Sequence, residues 1–217
     1  EIVGIAGISG NGQMELMELL TGQRPISGGE VLVKGSVYSA TRNEARTKCV
    51  RYLPEEPLQN ACVPRMSVAE NIGFRSFDLN GGQARFWLSK YSMKENAAKL
   101  VQSFKVKTAS LDAPMESLSG GNVQRAVLAR ELSDQVDLMV IANPCFGLDF
   151  AAVAEIRTRI MAARNAGTAV LLISEDLDEI IELADRILVM LEGRITYECL
   201  TTEVDPAEIG HHMGGHG

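Results

Sequence analysis

The segment EIVGIAGISGNGQMELMELLTG (residues 1–22) decides the fold. Its first six residues, EIVGIA, are apolar and β-branched, which is the composition of a buried strand. GISGNG at 7–12 is a glycine-rich turn. In QMELMELLTG, the residues Met14, Leu16, Met17, Leu19 and Leu20 suit a buried helix that ends at Gly22. Strand, glycine turn and helix in that order open a nucleotide-binding α/β fold.

Working outward, Gly28–Gly29 is a turn and EVLVKG at 30–35 predicts an alternating strand. CVRYLP at 49–54 predicts another, stopped by Pro54. The middle of the chain changes character. Ser67 and Glu70 in SVAENI have capping-box spacing, and SMKENAAKLVQSF at 92–104 places its apolar residues at helical intervals. The last third returns to alternation. DLMVIA at 137–142 is a buried strand, 149–167 a helix closed by Gly167, and TAVLLIS at 168–174 a strand. DLDEIIELA at 176–184 is a helix, and DRILVMLEGRI at 185–195 is a hairpin turning at Glu192–Gly193. Alternating strands and helices predict a mostly parallel sheet covered on both faces, with a helical subdomain inserted at about 66–132. Phe74, Phe77, Phe86 and Trp87 of the insert read as core or as a docking surface, with core favoured by the usual burial of aromatic residues. The tail GHHMGGHG holds all three histidines and reads as a frayed terminus.

The bulk properties narrow the class. A chain of 217 residues with 46% hydrophobic and 23% charged content builds one domain, or one domain with a subdomain. A net charge of −7 argues against a general nucleic-acid binder, because phosphate backbones attract basic surfaces. The apolar runs 168–173 and 187–191 are strand-sized, below the roughly 18–20 residues of a spanning helix. Nothing at the start reads as a signal peptide. Because Glu1 opens inside a strand, the expectation is a fragment of a longer product lacking the first strands of its domain. Cys49, Cys62, Cys145 and Cys199 are widely spaced without CxxC, which predicts reduced, mostly buried thiols and no metal site.

Two segments carry chemistry. In a P-loop, GxxxxGK[ST], backbone N–H groups wrap the phosphates, the lysine neutralises β/γ charge and the hydroxyl ligates Mg²⁺. Here Gly7, Gly10, Asn11 and Gly12 keep the frame, while Gln13 and Met14 replace cation and metal ligand. The second segment is Leu118-Ser119-Gly120-Gly121-Asn122, followed by VQRAVLAREL. A hydroxyl and glycine N–H groups at a helix start make a second anion site.

LSGGNVQRAVLAREL resembles the signature motif of ABC ATPases, with Asn122 where many have glutamine. GIAGISGNGQMELMELLTG resembles the Walker A segment of the second ATPase half in importers for simple sugars and nucleosides. RYLPEEPLQNACVPRMSVAENI resembles their Q-loop region, with Glu55 at the usual glutamine position. LMVIANPCFGLD resembles Walker B plus D-loop, and LLISEDLDEIIELADRILVM the switch region. The resemblance implies a P-loop NTPase-like ABC ATPase core that takes ATP. It also implies pairing head to tail with a sister half, docking to membrane permease subunits, indirect service to a substrate-binding protein, and a peripheral place on the cytoplasmic face of the membrane.

The departures from the pattern carry the most information. Where the family has a metal-holding aspartate and a catalytic glutamate, this chain has Ala142 and Asn143; Glu175 replaces the switch histidine. Phosphoryl transfer relies on positioning and charge stabilisation, so the domain's own site is expected to hold nucleotide weakly and not to hydrolyse it. Ser119, Gly120, Gly121, Asn122 and Asp149 are expected to complete the sister's site. The alternatives are a regulatory or dimerisation module with little nucleotide binding, and an ABC-like soluble protein of repair or translation, which would keep its Walker residues.

Overall fold

A computed structural model of the chain describes residues 1–75 and 90–214. In chain order the elements are β1 (Ile2–Ala6), α1 (Gln13–Leu20), β2 (Leu32–Val33), β3 (Ser36–Val37), α2 (Arg42–Thr47), β4 (Val50–Leu53), α3 (Pro57–Asn60), α4 (Val68–Gly73) and α5 (Lys90–Ser103). They continue with α6 (Gly120–Glu131), β5 (Leu138–Ala142), α7 (Phe150–Asn165), β6 (Ala169–Ser174), α8 (Leu177–Leu183), β7 (Arg186–Leu191), β8 (Arg194–Leu200) and α9 (Pro206–Met213).

The main sheet has the order β4-β5-β6-β1-β7-β8. β5, β6, β1 and β7 run parallel, and β8 turns back antiparallel on β7. The parallel strands are nearly continuous apolar runs because both faces of such a sheet are covered. Ile2, Met139, Val140, Ile141, Leu172, Ile187 and Val189 are all fully buried. One core cluster joins Ile5, Val140, Ala142, Ile173 and Met190 to Met17 and Leu20 of α1. A smaller one gathers Val33, Tyr38, Ala40 and Val50, with the Tyr38 hydroxyl donating to the Leu20 carbonyl at 3.1 Å.

The chain divides into two compact units, one of residues 1–52, 136–144 and 157–217, the other of residues 53–135 and 145–156. In the second unit the capping box read at Ser67 and Glu70 is complete. The Ser67 hydroxyl accepts the Glu70 N–H at 3.2 Å, and the Glu70 carboxylate accepts the Ser67 N–H at 2.9 Å. Asn71, 1% exposed, ties the loop before α4 to the helix by accepting the Val63 N–H at 2.8 Å and donating to the Val63 and Met66 carbonyls. Glu131, fully buried, is held by Arg130 at 2.8 Å and Arg75 at 3.0 Å. The guanidinium of Arg130 also donates to the Ala61 carbonyl at 2.8 Å.

Four expectations change. The strand read at 30–35 is only the two-residue β2, because the chain reverses at Lys34–Gly35 to pair Leu32 with Val37. α2 went unread although Thr41 and Glu44 form a capping box with the same spacing as Ser67 and Glu70. The tail read at 210–217 is not frayed over 210–213, which end α9 with Ile209 fully buried and the His212 ring stacked on Tyr197 at 4.5 Å; residues 215–217 lie outside the described residues. The four cysteines are half-buried rather than buried, since they sit in loops or, for Cys199, on the outer strand. Burial still pushes the Cys62 thiol up to about 11. Phe74 is half-buried; Phe77, Phe86 and Trp87 lie outside the described residues.

Removing one member of a buried ion cluster strands its partners without compensation. Glu131→Ala is therefore expected to destabilise the chain by about 3 kcal/mol, read as a lowered urea midpoint with the unfolding slope unchanged.

Candidate functional site

β1 ends at Ala6, paired with Ser174 of β6 and Val189 of β7. The glycine turn therefore emerges at the carboxyl edge of the parallel strands, where ligands of open α/β sheets bind. Gly10 (φ 89°) and Gly12 (φ 108°) adopt the left-handed backbone that the sharp turn into α1 requires. Asn11 pins the turn from outside. Its side chain accepts the Glu192 N–H at 3.1 Å and donates to the Ile8 carbonyl at 3.0 Å, and its carbonyl accepts the Gly193 N–H at 2.8 Å. The β7–β8 turn thus braces the loop, a role that no local motif announces.

Gln13 is buried, whereas Met14 is half exposed. The Gln13 carboxamide lies inside the turn. Its oxygen accepts the Asn11 N–H at 3.1 Å and its nitrogen donates to the Ile8 carbonyl at 3.2 Å.

Two strands away along the sheet, Ala142 ends β5 with a buried methyl group and no oxygen to offer. Asn143 follows with φ 40°, a conformation that asparagine tolerates better than most residues. Its N–H donates to the Ile173 carbonyl at 2.8 Å, and its side-chain oxygen accepts the Glu175 N–H at 3.0 Å. Glu175 itself is exposed. Next to it, the buried Ser174 hydroxyl donates to the buried Glu179 carboxylate at 2.8 Å. The first unit therefore brings residues 7–14, Ala142, Asn143 and Glu175 to one edge of one sheet.

The other expected residues belong to the second unit. Ser119 precedes α6 and its hydroxyl makes no cap bond to the helix; it accepts from the Asn122 amide at 2.8 Å. The Asn122 oxygen accepts the Lys107 N–H at 2.8 Å, which fixes the amide's orientation. As the first two residues of a helix, Gly120 and Gly121 have no intrahelical acceptor for their N–H groups. A Cβ on Gly121 would lie 3.1 Å from the Ala152 Cβ, so α6 and the start of α7 touch closely there. Asp149 caps α7, accepting the Ala152 N–H at 2.9 Å. The Glu55 carbonyl accepts the Asn60 amide at 2.7 Å.

Residues 1–145 match the ABC transporter family. The chain belongs to this family. It is 40% identical to the glucose import ATP-binding protein TsgD13 of Haloferax volcanii over 220 residues, covering 100% of this chain and 40% of that protein. It is 35% identical to the guanosine import ATP-binding protein NupO of Bacillus subtilis, over 99% of this chain and 42% of that protein. With the nucleoside import ATP-binding protein NupA of Lactococcus lactis the identity is 37%, over 90% of this chain and 39% of the relative. The chain thus spans about two fifths of the length of these relatives.

A nucleotide-free ATP-binding cassette from an ABC transporter shares the fold at TM-score 0.78 and 22% identity, over 97% of this chain and 87% of that one. A dimeric cassette in a post-hydrolysis state, bound to ADP and Pi, does so at TM-score 0.73 and 18% identity, over 93% and 85%. The ABC ATPase fold read from the sequence, an α/β core with a mostly parallel sheet, is the fold of the chain.

The Asn143 geometry has a measurable consequence for this ABC family member. Asn143→Ala loses the bond to Glu175 and places a Cβ residue without a polar side chain at positive φ, with an expected loss of about 1–2 kcal/mol. Asn143→Gly is expected to lose less, because glycine accepts the backbone conformation. In both variants the Glu175 amide should exchange with solvent faster, measured by hydrogen exchange.

Proposed function

We propose that this chain is one ATP-binding half, the second in its polypeptide, of an importer for simple sugars or nucleosides. On this reading its own phosphate site is weak and hydrolytically silent, and Ser119 to Asn122 complete the site of a sister half. The observation that carries the reading is the chemistry of three positions at the sheet edge: Gln13 supplies no cation for the β/γ-phosphates, and Met14 and Ala142 supply no oxygen ligand for Mg²⁺.

Backbone N–H groups of the turn at 7–12 and the start of α1 supply the attraction for a phosphate. Gln13 adds no charge to it. Magnesium does not fit: Met14 and Ala142 stand where its hydroxyl and carboxylate ligands would be, and neither carries an oxygen on its side chain. Asn143 is neutral and its oxygen is engaged with the Glu175 N–H, so it takes no proton from water. Without a cation at Gln13, a metal ligand at Met14 or Ala142, or a base at Asn143, phosphoryl transfer at this edge loses most of the charge stabilisation that lowers its barrier.

The Ser119 segment retains what this edge has lost. Ser119 and Gly120 are exposed, and the helix start presents N–H groups that suit a phosphate brought by another subunit. Asp149 lies in the family's D-loop, which serves the same interface. The dimeric cassette among the structural neighbours supports pairing of two such domains. The relatives' names support import of a sugar or nucleoside, and the chain's share of their length supports a half rather than a whole. Among the described residues, no helix is long and apolar enough to cross a membrane. On this reading attachment to the cytoplasmic face runs through permease subunits, fed by a substrate-binding protein, and nucleic acid is no partner.

The second reading, a regulatory or dimerisation module with little nucleotide binding, is favoured by the Gln13 oxygen already holding the Asn11 N–H. Titration with labelled ATP separates the two. The assay of the main reading uses the chain alone and paired with a competent sister half. The lone chain is expected to give no turnover above background, and Ser119→Ala to lower the pair's rate by about 100-fold. Turnover by the lone chain on the order of 1 s⁻¹, or an unaffected pair, would sink the proposal.

A further inference from the structure

We propose that the Gln13 carboxamide is a built-in occupant of the phosphate turn, its oxygen holding the loop N–H that a phosphate oxygen would otherwise take. The inference rests on reading residues 7–14 as a phosphate turn and on nothing about hydrolysis.

A polar side chain at the first position of a helix ordinarily points to water, yet Gln13 is only 8% exposed. It is buried within its own loop, with both poles of the amide satisfied there. The oxygen accepts from Asn11 and the nitrogen donates to Ile8. A lysine carries donors only and could reach the Ile8 carbonyl without accepting the Asn11 N–H. The carboxamide does both, so it closes the turn as a lysine does not.

Gly7 makes this possible. A Cβ there would lie 2.1 Å from the Gln13 amide nitrogen and 3.2 Å from its carbonyl carbon. The first glycine of the motif is thus the space through which the carboxamide crosses the loop. The Asn11 N–H, meanwhile, is not free to swing outward to a ligand, because the β7–β8 turn grips the same residue by its carbonyl and its side chain. The Ile8 carbonyl accepts from Gln13 and also from the Asn11 amide.

An arriving phosphate must therefore break the bond between Asn11 and Gln13 before it gains its own. A charged acceptor makes the stronger hydrogen bond, so displacement is feasible. The closed turn nevertheless reduces the fraction of molecules ready to bind, and apparent affinity falls in proportion. The device is a low-affinity gate in which occupancy by an anion and withdrawal of the carboxamide are one event.

The experiment titrates the full ¹⁵N-labelled chain with inorganic pyrophosphate, without metal, and follows the Asn11 amide and the Gln13 side-chain NH₂. In the unaltered chain both resonances should move together on binding. Gln13→Ala, and Gln13→Met as a variant of similar length without an acceptor, should each bind pyrophosphate about tenfold more tightly, the worth of one hydrogen bond released to a charged acceptor. Gln13→Glu, which keeps the acceptor and adds repulsion, should bind about tenfold more weakly. If neither Ala nor Met tightens binding, the carboxamide is a ligand or a bystander and the proposal is overturned. Should the Ala variant fail to fold, the Met variant and the Gln13 resonances of the unaltered chain decide alone. ATP hydrolysis by the same unaltered sample would defeat the reading of a silent site while leaving the gate intact.

Discussion

The turn at residues 7–12 can be sharp and still well defined because β1 is clamped between two parallel neighbours. Ile2 to Ala6 pair in register with Val170 to Ser174 on one side, and Val3 to Ala6 pair with Arg186 to Val189 on the other. Ile5 of the strand is buried in the same core that receives Met17 and Leu20 of α1. With both flanks of the turn held by packing, its backbone N–H groups are fixed in direction. The bracing by Asn11 depends on that clamp, and the neighbouring β5–β6 pairing places Asn143 and Glu175 on the same edge.

At this edge the polar groups satisfy one another. Asn143 holds the Glu175 N–H, Ser174 holds Glu179, and Gln13 holds Asn11. A site poised for phosphoryl transfer keeps charged groups aimed at where charge develops. Here the Asn143 and Gln13 amides are turned on backbone groups and the Ser174 hydroxyl on the Glu179 carboxylate, which stabilises the loops, while the Glu175 side chain stays exposed. The start of α6 shows the opposite disposition. Asn122 braces the Ser119 hydroxyl and the Lys107 backbone, and the two leading glycine N–H groups remain without intrahelical acceptors. Of the two helix starts, that of α1 is closed by its own Gln13, while that of α6 begins with glycine N–H groups that have no intrahelical acceptor.

The regular elements were largely legible because each carries its own period or punctuation. β1, β4, β5, β6 and β7 are short apolar runs bounded by turn residues, and Ser67 with Glu70 announces α4. Misreadings came where tertiary contact overrules local signal. Residues 30–35 alternate like a strand but turn back after the two-residue β2, and residues 210–213 of the tail join a helix because Ile209 finds a buried seat. α2 is a different case, since Thr41 and Glu44 carry an explicit capping signal in the sequence.

Which residues stand at the glycine turn, at the end of β5 and after β6, and which chemical groups they lack, is written in the chain itself. A missing lysine, hydroxyl or carboxylate is a matter of composition at a motif position and needs no coordinates. Where the replacement side chains go was decided only by the folded chain. Gln13 turns inward because Gly7 leaves room and Asn11 offers an N–H, and Asn11 offers it in that direction because Glu192 and Gly193, some 180 residues away, hold it there. Such an arrangement depends on contacts between distant segments, and hydrogen-bond direction across those contacts exists only once the sheet has brought them together.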